Sequence, residues 1–285
     1  MCTRRAQAEY YWNSCRARGQ FIEFADSTDK AKFKMLLLAT DTSGKDGFVG
    51  LARAHEQTQK IEIVEEVGLA GGTFSAQLVP QISGLIEKHD IRKNEIDAFL
   101  VVSGPGSFTG LRVGLAAIKA LAEILRKPIV PVSLLEVLAP DSRMIAAGEN
   151  QPHGSSRIRY AVALDAGRRE AFVGEYELSS DAGKSIRARV ESLLTIESLA
   201  KLLESGTVSW ITTPDATIFD ALSEKVPESS RRFIRRNLRR PRTLEVAMTG
   251  WEKLKSGQSV SPEQLEANYI RRSDAEIFSK PAASS

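Results

Sequence analysis

Ser103-Gly104-Pro105-Gly106-Ser107-Phe108-Thr109-Gly110-Leu111-Arg112-Val113-Gly114 is the stretch on which the fold of this chain turns. Just before it, Asp97-Ala98-Phe99-Leu100-Val101-Val102 is short, β-branched and aromatic, and reads as a buried strand. Gly104, Pro105 and Gly106 then force a turn, because proline fixes φ and glycine permits angles and approaches that a Cβ forbids. Ser107 or Thr109 is placed to cap the helix that follows.

On a wheel of about 100° per residue, Arg112, Lys119, Glu123 and Arg126 fall in one narrow arc of that helix, and the rest of Gly110 to Leu125 is apolar or small. A helix lying on a sheet at a protein surface needs only one apolar stripe, so this one is expected to be covered on two sides. Its own sheet supplies one cover. Gly110, Gly114 and Ala117 share a face and would admit a second helix, from this chain or another.

The chain has 285 residues, 42% hydrophobic and 26% charged, enough for two modest lobes with a true core. No run approaches a membrane span, and the first residues lack the apolar block of a secretion signal, so a cytoplasmic location with no membrane partner is expected. Residues 1–34 carry seven basic side chains against four acidic ones, which accounts for the whole formal charge of +3. The remainder is formally neutral, so net charge gives no support for nucleic-acid binding by the bulk of the protein. Both cysteines, Cys2 and Cys15, lie in the same opening segment. Met35 begins the first clear strand, Met35-Leu36-Leu37-Leu38-Ala39, and residues 1–34 are expected to be a disordered tail or to precede the true start.

The chain also repeats itself. Ala39-Thr40-Asp41-Thr42-Ser43-Gly44-Lys45-Asp46-Gly47-Phe48-Val49-Gly50 aligns without a gap on Ala163-Leu164-Asp165-Ala166-Gly167-Arg168-Arg169-Glu170-Ala171-Phe172-Val173-Gly174, with Ala, Asp, Phe, Val and Gly coinciding. Each copy is a strand, a turn with a carboxylate at its mouth and a returning strand. Two related lobes follow, expected at 35–138 and 139–242, with 243–285 a helix returning toward the first lobe and a polar tail.

Between these landmarks, Thr73 to Lys88 reads as a helix, with Phe74, Leu78, Ile82, Leu85 and Ile86 on one side. Pro128 to Val132 is an edge or terminal strand, as its prolines require. A helix runs from Ser133 through Leu138, and residues 141–157 read as a loop or linker. Thr195 to Leu203 is helical by period, Val208 to Thr212 is a strand, and Thr243 to Lys255 is an amphipathic helix. Arg231, Arg232, Arg235, Arg236, Arg239, Arg240 and Arg242 recur at helical spacing, either as a solvated basic face or as a tRNA or nucleotide contact.

Together, Leu37 to Ser43, Leu78-Val79-Pro80, Gly104 to Gly114, Val132 to Glu136, Asp165 to Glu170 and Tyr269-Ile270-Arg271-Arg272 closely resemble the TsaB (YeaZ) family, over roughly residues 35–275. The long glycine motif is specific, whereas the Asp-Thr-Ser turn alone is weak. The resemblance implies an α/β fold of two RNase H-like lobes, of the actin-like, sugar-kinase and Hsp70 ATPase (ASKHA) type. It also implies a pseudo-enzyme that supports TsaD, with TsaE, in placing threonylcarbamoyl on the adenosine next to the tRNA anticodon. Partners would be TsaD as a heterodimer, TsaE in a ternary complex, tRNA only indirectly, and a second copy when the protein is isolated.

Carried over residue by residue, that partner interface comprises Phe74, Gln77, Leu78, Gly110, Leu111, Gly114, Ala117 and Ile118, and the flank facing outward stays open. Asp41, Thr42, Ser43 and Asp165 occupy turns that face phosphates in active relatives and would be vestigial here. No cofactor is expected on this chain alone, ATP and metal belonging to the partner subunits. His55, His89 and His153 are not spaced to hold a metal from one helix. Asn268 stands where the family has proline before Tyr269.

Two other function classes remain. An ATP-using enzyme is suggested by the fold and the two Asp turns, although fold does not confer activity and the glycine motif lacks both the Lys-Ser/Thr ending of a P-loop and the third glycine of a dinucleotide fingerprint. A peptidase is the remote alternative. Ser107 has no histidine near it in sequence, and the core has no cysteine.

Overall fold

A computed structural model describes residues 35–56, 58–147, 157–179, 186–231, 233–235, 238 and 240–271. The expected N-terminal extension lies outside them. The described chain divides into two compact units, one holding residues up to 147 with 240–267, the other holding 157–238 with 268–271.

In the first unit, β1 (Met35–Asp41), β2 (Asp46–His55) and β3 (Lys60–Ala70) form an antiparallel meander, and β4 (Ala98–Gly104) and β5 (Ile129–Ser133) lie parallel to β1. The strand order is β3-β2-β1-β4-β5, so the proline-bearing β5 sits at an edge, where a missing N–H costs no ladder bond. Because β1 and β4 are covered on both faces, they read as unbroken apolar runs and not as alternations.

One face carries α1 (Phe74–Lys88) and α2 (Phe108–Leu125), whose Phe74, Leu78, Ile82, Leu115 and Ile118 meet Leu36, Leu38, Val49 and Phe99. The other face carries α3 (Leu134–Ala147) and α7 (Thr243–Lys255), the latter lying across all five strands. Gly250 of α7 is there because a Cβ would come within 2.8 Å of the Leu100 side chain. At the start of α7, Glu66 of β3 accepts from Thr243 N (2.8 Å) and Arg242 Nε (2.6 Å), neutralising exposed helix donors.

The second unit repeats this plan. β6 (Arg157–Gly167), β7 (Glu170–Ser179) and β8 (Ile186–Thr195) form the meander, with β9 (Trp210–Thr212) and β10 (Ile234–Arg235) parallel to β6. Read from β8, the order is again third, second, first, fourth, fifth. A register irregularity falls at Leu51/Ala52 in the first meander and at Glu175/Tyr176 in the second, the same place in the repeat. Helices α4 (Ile196–Glu204) and α5 (Ala216–Lys225) cover one face, and the short α6 (Glu228–Arg231) leads into β10. The architecture is two duplicated RNase H-like α/β lobes.

Three local expectations change. α3 continues to Ala147, into the first of the residues read as a loop, because Leu134, Leu135, Leu138 and Ala139 anchor its first turns and Pro140 costs only one ladder bond; residues 148–156 lie outside the described residues. The arginine-rich segment is not a helix: Ile234 and Arg235 pair with Ile211 and Thr212 as a sheet-edge strand, Ile234 being buried. Arg232, Arg236 and Arg239 lie outside the described residues. Strands β3 and β8, each the outer strand of its meander, were absent from the sequence reading. Among the described residues no helix is long and apolar enough to cross a membrane.

Candidate functional site

The glycine motif is built around one turn. Gly104 closes β4 with φ +129°, Ser107 N donates to Ser43 O (2.7 Å), and the Ser107 hydroxyl accepts from Gly110 N (3.3 Å) as the cap of α2. A Cβ on Gly106 would stand 2.3 Å from Ser43 O, on Gly110 2.1 Å from Thr42 O, and on Gly114 2.2 Å from Thr42 Oγ1. Thr42 Oγ1 donates in return to Gly110 O (2.8 Å). The small face of α2 receives the β1–β2 turn at both Gly110 and Gly114, and the edge of the Phe74 ring from α1 also lies 3.4 Å from where a Gly110 Cβ would be. Ser107 is a helix cap, which is the role that its position suggested.

Six of the eight residues carried over as partner contacts are turned inward. Phe74, Leu78, Gly110, Leu111, Gly114 and Ile118 are buried, packed against the sheet, the β1–β2 turn or each other. Gln77 and Ala117 are half-buried, and Gln77 accepts from Ala70 N and donates to Thr73 Oγ1. What α2 leaves open is a different flank: Val113, Ala117, Ala120 and Ile124 fall within about 60° on the wheel, beyond the polar arc of Arg112, Lys119 and Glu123. Ile124 is 76% exposed, and Val79 of the neighbouring α1 is 47% exposed. At the N-terminal end of α2, exposed Phe108 carries the Arg112 guanidinium 3.7 Å above its ring. A wheel could rank these positions but could not choose between the flanks, because the choice depends on where the β1–β2 turn docks.

The duplicated helices of the second unit serve as an internal comparison. The outward residues of α4 and α5 include Glu197, Lys201, Glu204, Thr217, Asp220 and Glu224, and neither helix bears an exposed large apolar side chain. Of the two helix pairs, only α1 and α2 carry exposed large apolar side chains; in the second unit such side chains lie off the helices, at Val190, Phe233 and Tyr269.

The two carboxylate turns have also diverged. Asp41, Thr42 and Ser43 are all buried; Asp41 Oδ1 accepts from Ser43 N (2.8 Å), and Thr42 spends its hydroxyl on the helix. Burial pushes the Asp41 carboxyl up, opposed by the Ser43 side chain and amide and by the Arg240 charge. Asp165 is exposed, and its oxygens accept from Gly167 N (2.7 Å) and Thr217 Oγ1 (2.7 Å). The Thr42 hydroxyl, Ser43 N and Gly167 N are thus spent on contacts within the fold, while the buried Ser43 hydroxyl has no hydrogen-bond partner. His89 Nε2 lies 2.7 Å from Glu65 Oε2, and Thr58 N donates to His55 Nδ1. Among the described residues no three His, Cys, Asp or Glu side chains are grouped to hold a metal ion.

Comparison with known proteins gives consistent results. The family model described as "TsaD: tRNA N6-adenosine threonylcarbamoyltransferase" matches residues 55–277. The "tRNA threonylcarbamoyladenosine biosynthesis protein TsaB" of Bacillus subtilis is 26% identical over 242 residues, 85% of this chain and 96% of that protein. The protein of the same description from Haemophilus influenzae is 28% identical over 54% of this chain and 61% of its own length. Among solved structures, an uncharacterized Pseudomonas aeruginosa protein "with similarity to peptidase YEAZ" superposes with a TM-score of 0.62 at 25% identity, over 84% of this chain and all of that one. By strand order, internal duplication and this match, the chain belongs to the family that the TsaD model describes and, within it, to the TsaB (YeaZ) group.

Proposed function

We propose that this chain is a non-catalytic partner subunit in the making of threonylcarbamoyladenosine in tRNA, and that it holds a TsaD-type transferase on the open apolar flank of α1 and α2. The observation that carries the reading is that flank: Val79, Ala120 and Ile124 are exposed beside the half-buried Val113 and Ala117, while neither duplicated helix of the second unit bears an exposed large apolar side chain. Apolar residues that an isolated lobe leaves in water are what a partner helix pair covers. The names of the relatives support the pathway, and kinship with the TsaD family supports a partner of the same fold, whose own helices would pack against these.

A supporting role without chemistry fits the engaged turns. The Asp41 and Asp165 carboxylates and the Thr42 hydroxyl are spent within the fold, and in this reading the chain binds no cofactor by itself, ATP and metal belonging to the transferase and to a TsaE-type ATPase that joins the pair. A second copy occupies the same flank when no transferase is present.

Size-exclusion chromatography with light scattering, alone and with the transferase of the same organism, tests this. Wild type is expected to form a heterodimer, and Ile124→Glu or Val79→Glu to weaken it at least about tenfold, since a charge then enters an apolar contact. Absence of a heterodimer with wild type, or unchanged affinity in both variants, refutes the assignment. Tight ATP binding by the isolated chain in calorimetry would favour the enzyme reading instead.

A further inference from the structure

The β6–β7 hairpin closes on two arginines. Gly167 pairs with Glu170, leaving Arg168 and Arg169 as the turn, and φ is +72° at Gly167, +56° at Arg168 and +59° at Arg169. A two-residue hairpin turn with positive φ at both central positions suits the twist of the strands, but it is cheaply occupied by Asn, Asp or Gly and not by long side chains. Among the described residues this is the only adjacent pair of side-chain-bearing residues with positive φ; Gln59, Asp90 and Arg126 stand singly. In the first copy the loop between Asp41 and Phe48 is longer, and Gly44 and Lys45, at the equivalent positions, have no positive φ. The strain belongs to the second copy alone.

That conformation is held from outside the turn. Asp165 Oδ1 accepts from Gly167 N (2.7 Å), Asp165 Oδ2 accepts from Thr217 Oγ1 (2.7 Å), and Asp165 N donates to Asp215 Oδ2 (2.8 Å). Arg169 O accepts from Ile196 N at the start of α4 (3.1 Å). Residues kept in sparsely populated backbone regions persist where the surroundings over-determine them, and they gather at functional positions. Both arginines are exposed. Arg169 stands 3.6 Å from Glu197, a carboxylate it shares with Lys225 at 3.3 Å, and an exposed pair of that length is worth little and is readily exchanged.

The geometry points to a direct contact between this turn and the phosphate backbone of an RNA, with Arg168 and Arg169 as the binding residues and Asp165, Thr217 and Asp215 as positioning residues. The guanidinium fork matches two phosphate oxygens at once, which explains why arginines occupy positions that glycine or asparagine would fill with less strain. Two such groups from adjacent positions grip neighbouring phosphates. The choice of RNA over an acidic protein surface rests on the tRNA reading proposed above, and it puts an RNA contact on this chain itself, where the family resemblance implied only an indirect one. Asp165, whose turn was expected to be vestigial, here positions the residues that meet the phosphates.

The test compares wild type, Arg168→Asn/Arg169→Gly and Arg168→Lys/Arg169→Lys, each as the full chain bound to its transferase. The probe is an unmodified in vitro transcribed tRNA with adenosine after the anticodon, titrated by filter binding between 50 and 200 mM salt. The Asn-Gly variant relieves the turn, so its Tm should rise by about 2–5 °C. Its tRNA affinity should fall at least about tenfold at the lowest salt, with the slope of log K against log salt shallower by about 1.5 for two lost phosphate contacts. The lysine variant should keep most of that slope and no gain in Tm. An unchanged slope in the Asn-Gly variant overturns the proposal, as does a changed affinity for ATP with the tRNA slope intact, or weakened association with the transferase in its place. Failure of the wild-type heterodimer is read separately in the same preparations and counts against the partner assignment, not against the turn.

Discussion

Replacing Gly114 with alanine opposes two effects, and the structure decides the sign. In a helix interior open to solvent, Gly→Ala stabilises by roughly 0.5–1 kcal/mol, because glycine loses more backbone freedom on folding. At Gly114 the new Cβ would stand 2.2 Å from Thr42 Oγ1 and 3.3 Å from Thr42 Cβ and Cγ2. Thr42 is buried and donates to Gly110 O, so it cannot rotate away without giving up that bond. Overpacking costs about 1–3 kcal/mol and the lost hydrogen bond about 1 kcal/mol, leaving Gly114→Ala about 1–3 kcal/mol less stable than wild type after the propensity gain. Gly84 of α1 is the control: no atom lies within 4 Å of its absent Cβ, so Gly84→Ala should gain about 0.5–1 kcal/mol. Urea unfolding followed by tryptophan fluorescence measures both, with Trp251 buried in the same unit. A Gly114→Ala protein as stable as wild type would refute the close packing of α2 on the β1–β2 turn.

Phe74→Ala should destabilise by about 3–4 kcal/mol, because the ring is buried and its edge lies 3.0 Å from where a Gly47 Cβ would be; a loss under about 1 kcal/mol in the same unfolding assay would mean that the ring is a surface contact after all. Ile124→Glu, on an exposed position, should change stability by less than about 0.5 kcal/mol while weakening the heterodimer, and a large loss of stability would show that Ile124 is core. Asp41 has its folded pKa raised by burial, so its ionisation opposes folding: the penalty is absent below the ordinary carboxylate pKa of about 4, grows as pH rises through the folded value and is constant above it. Asp41→Asn keeps an acceptor for Ser43 N, so it should be more stable than wild type at pH 7, with the gap closing toward pH 3. A gap independent of pH would exclude the burial effect.

The elements most legible in the sequence are those whose caps and periods agree. Thr73 precedes α1, Ser107 caps α2 through Gly110 N and Thr195 caps α4 through Ser198 N, and all three positions were readable as helix starts. The repeat at Ala39 and Ala163 announced the duplicated sheet, because the hairpin that carries it is the first unit of each strand order. Strands β3 and β8 were missed, since an outer strand with one wet side scatters charges such as Glu65, Glu66, Arg189 and Glu191 through its pattern. The partner-facing residues were the least legible. Composition marks α2 as apolar on nearly all sides, but only tertiary packing reveals that its glycines are consumed by Thr42 and that Ala120 and Ile124 are left exposed.

The interlock of Thr42 with Gly110 and Gly114 joins positions 68 and 72 apart along the chain, and neither partner can be altered alone without harm. Drift at this corner is thus confined to coordinated exchanges: Thr42→Ala discards the oxygen that a Gly114 methyl would strike, so the double variant should recover part of what each single one forfeits. The glycine spacing of this stretch thus answers a steric demand that a hairpin places on a helix.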